Sequence, residues 1–246
     1  MDGSKNYRRV IKKLHQSINE IGLNDSIIIR SIGSDLIRNR FDAHKFCRSK
    51  KIDLIIWGQT DYGFRNNEKI LLFEVYHTLN ISSNISSKLD LFLSDLNLIF
   101  AKRSWAIKEI NELEEYKIVA NNFLETILFI LGIFFYDEGH FTQSIKVFEF
   151  LLPILEKKNL KEKTDDYKLQ TNRVKYLLNE LYFLYSRILH DENKIKESFI
   201  YLRKIQEEII SNPIPLFINL ARVSYLLGDL ENAKNYTEKI RKINRR

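Results

Sequence analysis

Histidine and cysteine are among the side chains that can hold a metal ion or act as a nucleophile, and this chain has five histidines and one cysteine. The histidines show neither the HExxH pattern nor another paired-ligand spacing, and His44 with Cys47 supplies only two ligands on one helix turn. Cys47 falls on the apolar face of its predicted helix, which indicates a packed thiol. The sequence also lacks GxxxxGK[ST], GxGxxG and GxSxG motifs. We therefore expect no metal site, no cofactor and no nucleophilic centre.

Two carboxylates, Asp53 and Glu74, stand in consecutive apolar segments that have the pattern of β-strands. A predicted helix before Asp53, followed by the run Phe73–Tyr76, resembles the core order of the PD-(D/E)xK nucleases. That resemblance implies that Asp53 and Glu74 would hold a divalent metal, with a lysine two residues after the glutamate to position or activate the water. Tyr76 occupies the lysine position. A degenerate or active nuclease domain is therefore the enzymatic alternative, against a strand-capping Asp53 and a Glu74 on a polar sheet face.

The composition is that of a globular chain: 246 residues, 44% of them hydrophobic and 29% charged, with eight glycines and three prolines. So few helix breakers favour helix, and they argue against an all-β sandwich or a disordered chain. A single cysteine favours a reducing compartment, so we predict the cytoplasm. The most apolar stretch, Thr126–Tyr136, is well short of the roughly 20 residues that span a bilayer, so no membrane contact is expected.

Positive charge is concentrated at the front of the chain. Residues 1–52 hold twelve Lys/Arg and five Asp/Glu, a net of +7 that equals the formal charge of the whole chain. Such a patch attracts nucleic acid through counterion release, although solvated basic residues on amphipathic helices give the same count. The basic residues are not interleaved with the aromatic residues of a stacking platform. Nucleic-acid binding through residues 1–52 is therefore an alternative that ranks below protein binding.

The first half of the chain alternates between helical and extended patterns. Apolar residues at the helical period predict a helix over residues 7–22, with Gly22 as its C-cap. The other predicted elements are a strand over 26–33, a helix over 34–50, strands over 53–60 and 69–79 with turns near 62–63 and 66–67, a helix over 88–98 and a strand over 105–110. This alternation predicts an α/β unit.

Three segments in the second half resemble tetratricopeptide repeats, in which two helices meet at small residues and are joined by a short turn. The turns fall at Gly139, Asn193 and Gly228, and the small pairs are Gly132 with Ser144, Ser186 with Ser198, and Ala221 with Ala233. The interval from Asn193 to Gly228 is 35 residues, close to the repeat length of that family. The interval from Gly139 to Asn193 is 54, which places an insertion of about 20 residues in Leu160–Arg173.

The segment Asp53–Gly58, within KIDLIIWGQTDYG, resembles the small α/β domain of the TolB amino-terminal type over about residues 20–80. That resemblance implies a non-catalytic domain that docks onto other protein. Together the two resemblances predict an α+β chain. A small basic α/β domain would occupy residues 1–110, and an all-α tetratricopeptide-like array of helical hairpins would occupy residues 111–246.

The tetratricopeptide resemblance also implies a concave groove, lined by outward positions of the first helix of each repeat. Those positions hold Phe129, Ile133, Tyr136, Phe183, Arg187, His190, Ile218, Arg222 and Tyr225. Of these, the expected partner-binding residues are Phe129, Tyr136, Arg187, Arg222 and Tyr225. Aromatic and cationic groups together suit an extended peptide with apolar anchors and an acidic group.

A competing interpretation is that the apolar groove residues are buried and that the arginines pair with nearby acids such as Asp191 or Glu180. Our preferred interpretation is a non-enzymatic bacterial adaptor or sensor. It would bind a protein or peptide partner, such as a larger effector, through the concave face of its repeats.

Overall fold

The computed structural model describes residues 4–25, 27–29, 40–52, 54–65, 68–79, 102–106, 112–162 and 165–245. The chain divides into two compact units, Met1–Glu138 and Gly139–Arg246. The domain boundary predicted near residue 110 falls among residues 107–111, outside those described. That boundary stays a prediction.

In the first unit, helix α1 is Ser4–Ile21, and it packs against α3, Glu112–Asp137. Its buried side chains include Leu14, Ile18 and Ile21, which follow the helical period and confirm the predicted amphipathic helix. The predicted C-cap is also confirmed. Gly22 has a φ of +72°, its N–H donates to the Asn19 carbonyl, and the Leu23 N–H donates to the Ile18 carbonyl. These two bonds are the helix-ending arrangement that a left-handed glycine allows.

Helix α2, Arg40–Lys50, packs against strands β1, Leu54–Arg65, and β2, Glu68–Leu79. The strands are antiparallel, in register from Leu54 opposite Leu79 to Arg65 opposite Glu68. The predicted hairpin is confirmed, but Tyr62 and Gly63 lie inside β1 rather than in a turn. Strand β3, Lys102–Ala106, pairs with the other edge of β2, three residues earlier in the chain than the strand predicted from residue 105.

The predicted α+β class, with a separate small α/β domain, is wrong, because the described chain is mostly helical. It contains eight α-helices of 10 to 27 residues, against strands of which the longest has 12. The strand predicted over 26–33 is not formed at residues 27–29. A β-branched run reads as a strand from its composition alone, but a strand also needs a pairing partner. The helix predicted over 88–98 lies outside the described residues.

The second unit is a succession of helices. Its elements are α4 (Phe141–Glu162), α5 (Asp165–Asp191), α6 (Ile195–Lys204), a 3₁₀ turn (Glu207–Ile209), α7 (Ile214–Leu226) and α8 (Leu230–Ile243). Each α-helix packs against the next one in the chain. Fully buried Phe148, Leu151 and Leu155 of α4 and Leu177 of α5 form the core at the front of this unit. The prediction of helical hairpins is confirmed for the two hairpins within this unit, α5 with α6 and α7 with α8.

The turns of these hairpins lie at the predicted residues. Asn193 and Gly228 have φ angles of +61° and +79°, and Gly139, the first predicted turn, has +76°. The N–H of Lys194 donates to the Leu189 carbonyl, and the N–H of Asp229 donates to the Ser224 carbonyl. Glycine and asparagine adopt left-handed backbone at the lowest cost, which explains why the turns were visible in the sequence.

The predicted insertion, Leu160–Arg173, lies at the end of α4 and the beginning of α5. The extra residues lengthen these two helices to 22 and 27 residues, whereas α6, α7 and α8 have 10, 13 and 14. The described residues of the insertion are therefore helix rather than loop.

Candidate binding pocket

A pocket of about 100 Å³ lies between helices α5, α6 and α7 of the second unit. Side chains from all three helices line it: Ser186, Arg187, His190, Asp191, Ser198, Leu202, Asn219, Arg222 and Val223. Leu202 and Val223 are buried and contribute apolar wall, whereas Arg187 and Arg222 are exposed. The pocket therefore combines a buried apolar wall with two exposed cations.

Close packing of α5 and α6 positions one wall of the pocket. The hydroxyl of Ser198 donates to the Ser186 carbonyl at 2.8 Å, and both side chains are buried. Only small side chains allow two helix backbones to approach closely enough for such a bond. The sequence singled out this pair as the small residues of the second repeat, and the structure confirms their contact.

Arg187 and Arg222 occupy equivalent places in successive hairpins, 35 residues apart, and both line the pocket. Within the described part of the chain, neither guanidinium makes a hydrogen bond or an ion pair. The competing interpretation paired them with Asp191 or Glu180. Asp191 instead lies 3.6 Å from the Nδ1 of His190. Two arginines thus face one pocket, and neither forms an ion pair with an acid among the described residues, an arrangement that favours an anion.

His190 is the third basic group of the pocket. Its side chain is 20% exposed, and its Nε2 atom is buried without a hydrogen-bond partner among the described residues. A buried nitrogen without a partner costs about 1 to 3 kcal/mol. The ring, which lines the pocket together with the two arginines, therefore has an unused hydrogen-bonding position.

The structure brings together only part of the predicted groove. Phe129 is 0% exposed and Tyr136 8%, so these two residues of α3 belong to a core and do not line an open surface. Ile133 is buried as well. Outward positions were assigned by period, but residues 124–136 of α3 are apolar nearly all round, and such a helix is buried on every side.

Helix α7 keeps the predicted exposed face. Ile218 is 52% exposed and Tyr225 64%. With Arg222 they follow the i, i+4, i+7 spacing of one helix face. Tyr225 does not line the pocket itself, but it lies on the same face of the helix as the arginine that does.

Sequence reasoning missed a repeated contact, here named the lysine latch and defined by Lys204 with Tyr182 and Tyr201, and by Lys239 with Phe217 and Tyr236. The Lys204 Nζ lies 5.4 and 5.2 Å from its two ring centroids, and the Lys239 Nζ lies 4.8 and 5.8 Å from its own. These are cation–π distances. All three positions recur at the same 35-residue interval as the turns, and that recurrence was the available signal.

Each lysine of the latch also reaches an acid on the element that precedes its hairpin. Lys204 contacts the Glu149 Oε1 on α4 at 2.7 Å, and Lys239 contacts the Glu207 Oε1 in the 3₁₀ turn at 2.8 Å. The Tyr182 hydroxyl donates to the same Glu149 oxygen at 2.8 Å. Burial, and then this bond to Glu149, raise the pKa of Tyr182 far above its ordinary value.

The structure bears on only one of the two carboxylates of the nuclease alternative, because Asp53 lies outside the described residues. The strand register places Glu74 opposite Gln59 on β1 and opposite Lys102 on β3.

Cys47 is buried, which confirms the packed thiol. In the described ranges, no group of three His, Cys, Asp or Glu side chains could hold a metal ion.

The fold and the pocket define a class of protein built from helical hairpins, with a small cationic pocket between successive hairpins. Comparison of the chain with family models, with curated proteins and with solved structures found no match. Of the helices that the structure describes, none has the length and apolar character that crossing a membrane requires.

Proposed function

We propose that this chain is a non-enzymatic, tetratricopeptide-like adaptor that binds a protein partner through the face formed by α5 and α7. The observation that carries the proposal is the pair Arg187 and Arg222, which line one pocket and form no ion pair with any acid that the structure describes. Two like charges held together raise the free energy of the protein, and a bound anion offsets that cost. Proteins present such anions as carboxylates, which guanidinium groups bind through paired hydrogen bonds.

The apolar surface beside the pocket supports a peptide segment as the bound group. Ile218 and Tyr225 flank Arg222 on one face of α7 and are more than half exposed. Aromatic and arginine side chains carry much of the energy at protein interfaces. A segment with one acidic group and neighbouring apolar side chains would engage both features. The single cysteine, Cys47, suits a reducing compartment, in keeping with an adaptor in a bacterial cytoplasm.

The test is retention of a natural partner by pocket variants. Proteins that co-purify with the chain from native cells are identified by mass spectrometry, and the binding of each purified candidate is then measured. We expect Arg187→Ala and Arg222→Ala each to weaken binding by about 2 kcal/mol, with a larger loss in the double variant. The matched control is Arg241→Ala with Lys242→Ala, which removes two exposed charges from α8, away from the pocket.

Equal binding by the parent, the double pocket variant and the control would contradict the proposal. Circular dichroism of every variant shows whether a loss of binding comes from unfolding. Loss in the pocket variant alone supports the proposed face.

A further inference from the structure

The pocket contains a titratable group whose two ring nitrogens differ in environment. The Nδ1 of His190 lies 3.6 Å from the Asp191 carboxylate, whereas its Nε2 is buried without a hydrogen-bond partner among the described residues. A carboxylate beside Nδ1 favours the proton of the neutral ring on that nitrogen. Nε2 then presents a lone pair, which repels an anion. Only the doubly protonated ring carries an N–H on both nitrogens.

The charged groups around His190 come from two helices and one turn. Helix α5 contributes Arg187 and Asp191, and α7 contributes Arg222. Helix α6 presents Ser198 and Leu202, which do not titrate near neutrality. In the turn after α5, Lys194 and Glu192 pair with each other at 2.7 Å. Protonation of His190 thus adds a third positive group to two arginines opposed by one carboxylate.

We propose that this pocket binds a single oxyanionic group, a carboxylate or a phosphate, between Arg187 and Arg222, and that binding is coupled to the uptake of a proton by His190. This inference rests on the proposed function, of which it specifies the bound group and its regulation. The small volume of the pocket suits one charged group rather than a whole peptide. An anion favours the charged ring, and by linkage the charged ring favours the anion. Affinity therefore rises as a lower pH adds the second proton to the ring.

Two small anions test the inference without knowledge of the partner. Binding is measured at about pH 5.5 and at about pH 8, on either side of the ordinary pKa range of histidine side chains. Sulfate keeps the same charge at both pH values, so a change in its affinity reports on the protein. Sodium sulfate and sodium acetate are titrated into the full chain at constant ionic strength, and amide and imidazole resonances are followed by NMR. We expect saturable shifts at the pocket residues, with sulfate binding about tenfold tighter at the lower pH.

Two sets of variants test separately the contribution of the arginines to binding and the contribution of the proton on His190. Arg187→Ala with Arg222→Ala should abolish saturable binding, whereas Arg241→Ala with Lys242→Ala should retain it. His190→Gln should reduce the pH dependence to less than about twofold. Asp191→Asn probes the charge of the pocket, because Asp191 is 81% exposed and its replacement should not unfold the chain. Removal of this carboxylate should tighten sulfate binding at the higher pH.

The two anions also distinguish the sources of the bound group. Tighter acetate binding assigns the pocket to carboxylates, and tighter sulfate binding assigns it to phosphate-like groups; either result supports an oxyanion pocket. Unsaturable shifts that persist in the double arginine variant would overturn the pocket. Affinity that is equal at both pH values would overturn the role of His190.

Failure of this inference is distinguishable from failure of the proposed function. If sulfate leaves the pocket unperturbed while partner binding still requires Arg187 and Arg222, the oxyanion inference is wrong and the adaptor proposal stands. If sulfate binds but partner binding ignores both arginines, the adaptor face is wrong and the pocket stands.

Discussion

At the scale of single residues, one carboxylate oxygen of Glu149 accepts two hydrogen bonds, one of them from Tyr182. Its hydroxyl and the Lys204 ammonium both donate to the Glu149 Oε1. The hydroxyl can donate only while it is neutral, and ionisation would place a buried phenolate beside a carboxylate. Burial and the bond to Glu149 therefore raise the pKa of Tyr182 above its ordinary value of 10.0.

The raised pKa makes the stability of the fold sensitive to alkaline pH. Below pH 10 the phenol is neutral in both the folded and the unfolded chain, so its contribution is complete. Above that pH the unfolded chain loses the proton while the folded chain keeps it. The free energy of unfolding then falls by up to about 1.4 kcal/mol per pH unit from this group.

Urea denaturation at a series of alkaline pH values measures this effect. We expect Tyr182→Phe to fall less steeply with pH than the parent, and Tyr225→Phe, at an exposed position of α7, to follow the parent. Identical slopes for all three proteins would show that Tyr182 ionises as easily in the folded chain as in the unfolded one.

At the scale of helices, the lysine latch ties each hairpin to the element before it. Lys204 and Lys239 each lie over two rings and contact an acid on the preceding element. The lysines and their glutamates are between about a third and a half exposed, so solvent screens the ion pairs. We therefore expect the cation–π contacts and the packing of the lysine stem to give the larger share of the stabilisation.

Removal of one latch should destabilise the end of the array. We expect Lys239→Ala to lower the free energy of unfolding by about 1 kcal/mol. Lys239→Met, which keeps most of the apolar stem, should lose less. The matched control is Lys234→Ala, an exposed lysine on the same helix, with an effect under about 0.5 kcal/mol. Equal effects of Lys239→Ala and Lys234→Ala in urea denaturation would show that the latch contributes nothing.

At the scale of the whole molecule, the chain consists of two compact units that divide between residues 138 and 139. The second unit has its own core, formed by residues such as Phe148, Leu155 and Leu177. A unit with its own core can fold by itself. The domain boundary predicted near residue 110 instead assigns α3 to the helical array.

Fragments decide between the two boundaries. We expect residues 139–246 to unfold cooperatively in urea with a helical circular dichroism spectrum, and to match residues 111–246 in stability. A fragment 139–246 that lacks cooperative unfolding, beside a stable 111–246, would favour the boundary predicted from the sequence.

Local chemistry allowed the sequence by itself to predict the turns that end helices and the hairpins in which those turns connect two helices. Gly22, Asn193 and Gly228 adopt the left-handed backbone expected of their residue types. A common 35-residue interval also placed Arg187 and Arg222 in the same phase, and both line one pocket. Such features depend on one residue or one helical period, which are fully present in the sequence.

Only the tertiary structure decided features that depend on a neighbouring element. Residues 27–29 form no strand, whereas β1 continues through Tyr62 and Gly63 because β2 pairs with it there. Phe129 is buried, although its period suggested an open groove, because burial is set by what packs against a helix. The pocket that Arg187, His190 and Arg222 line likewise follows from the meeting of three helices. Pairing, burial and convergence join residues far apart in the chain, and periodicity within one element carries no record of them.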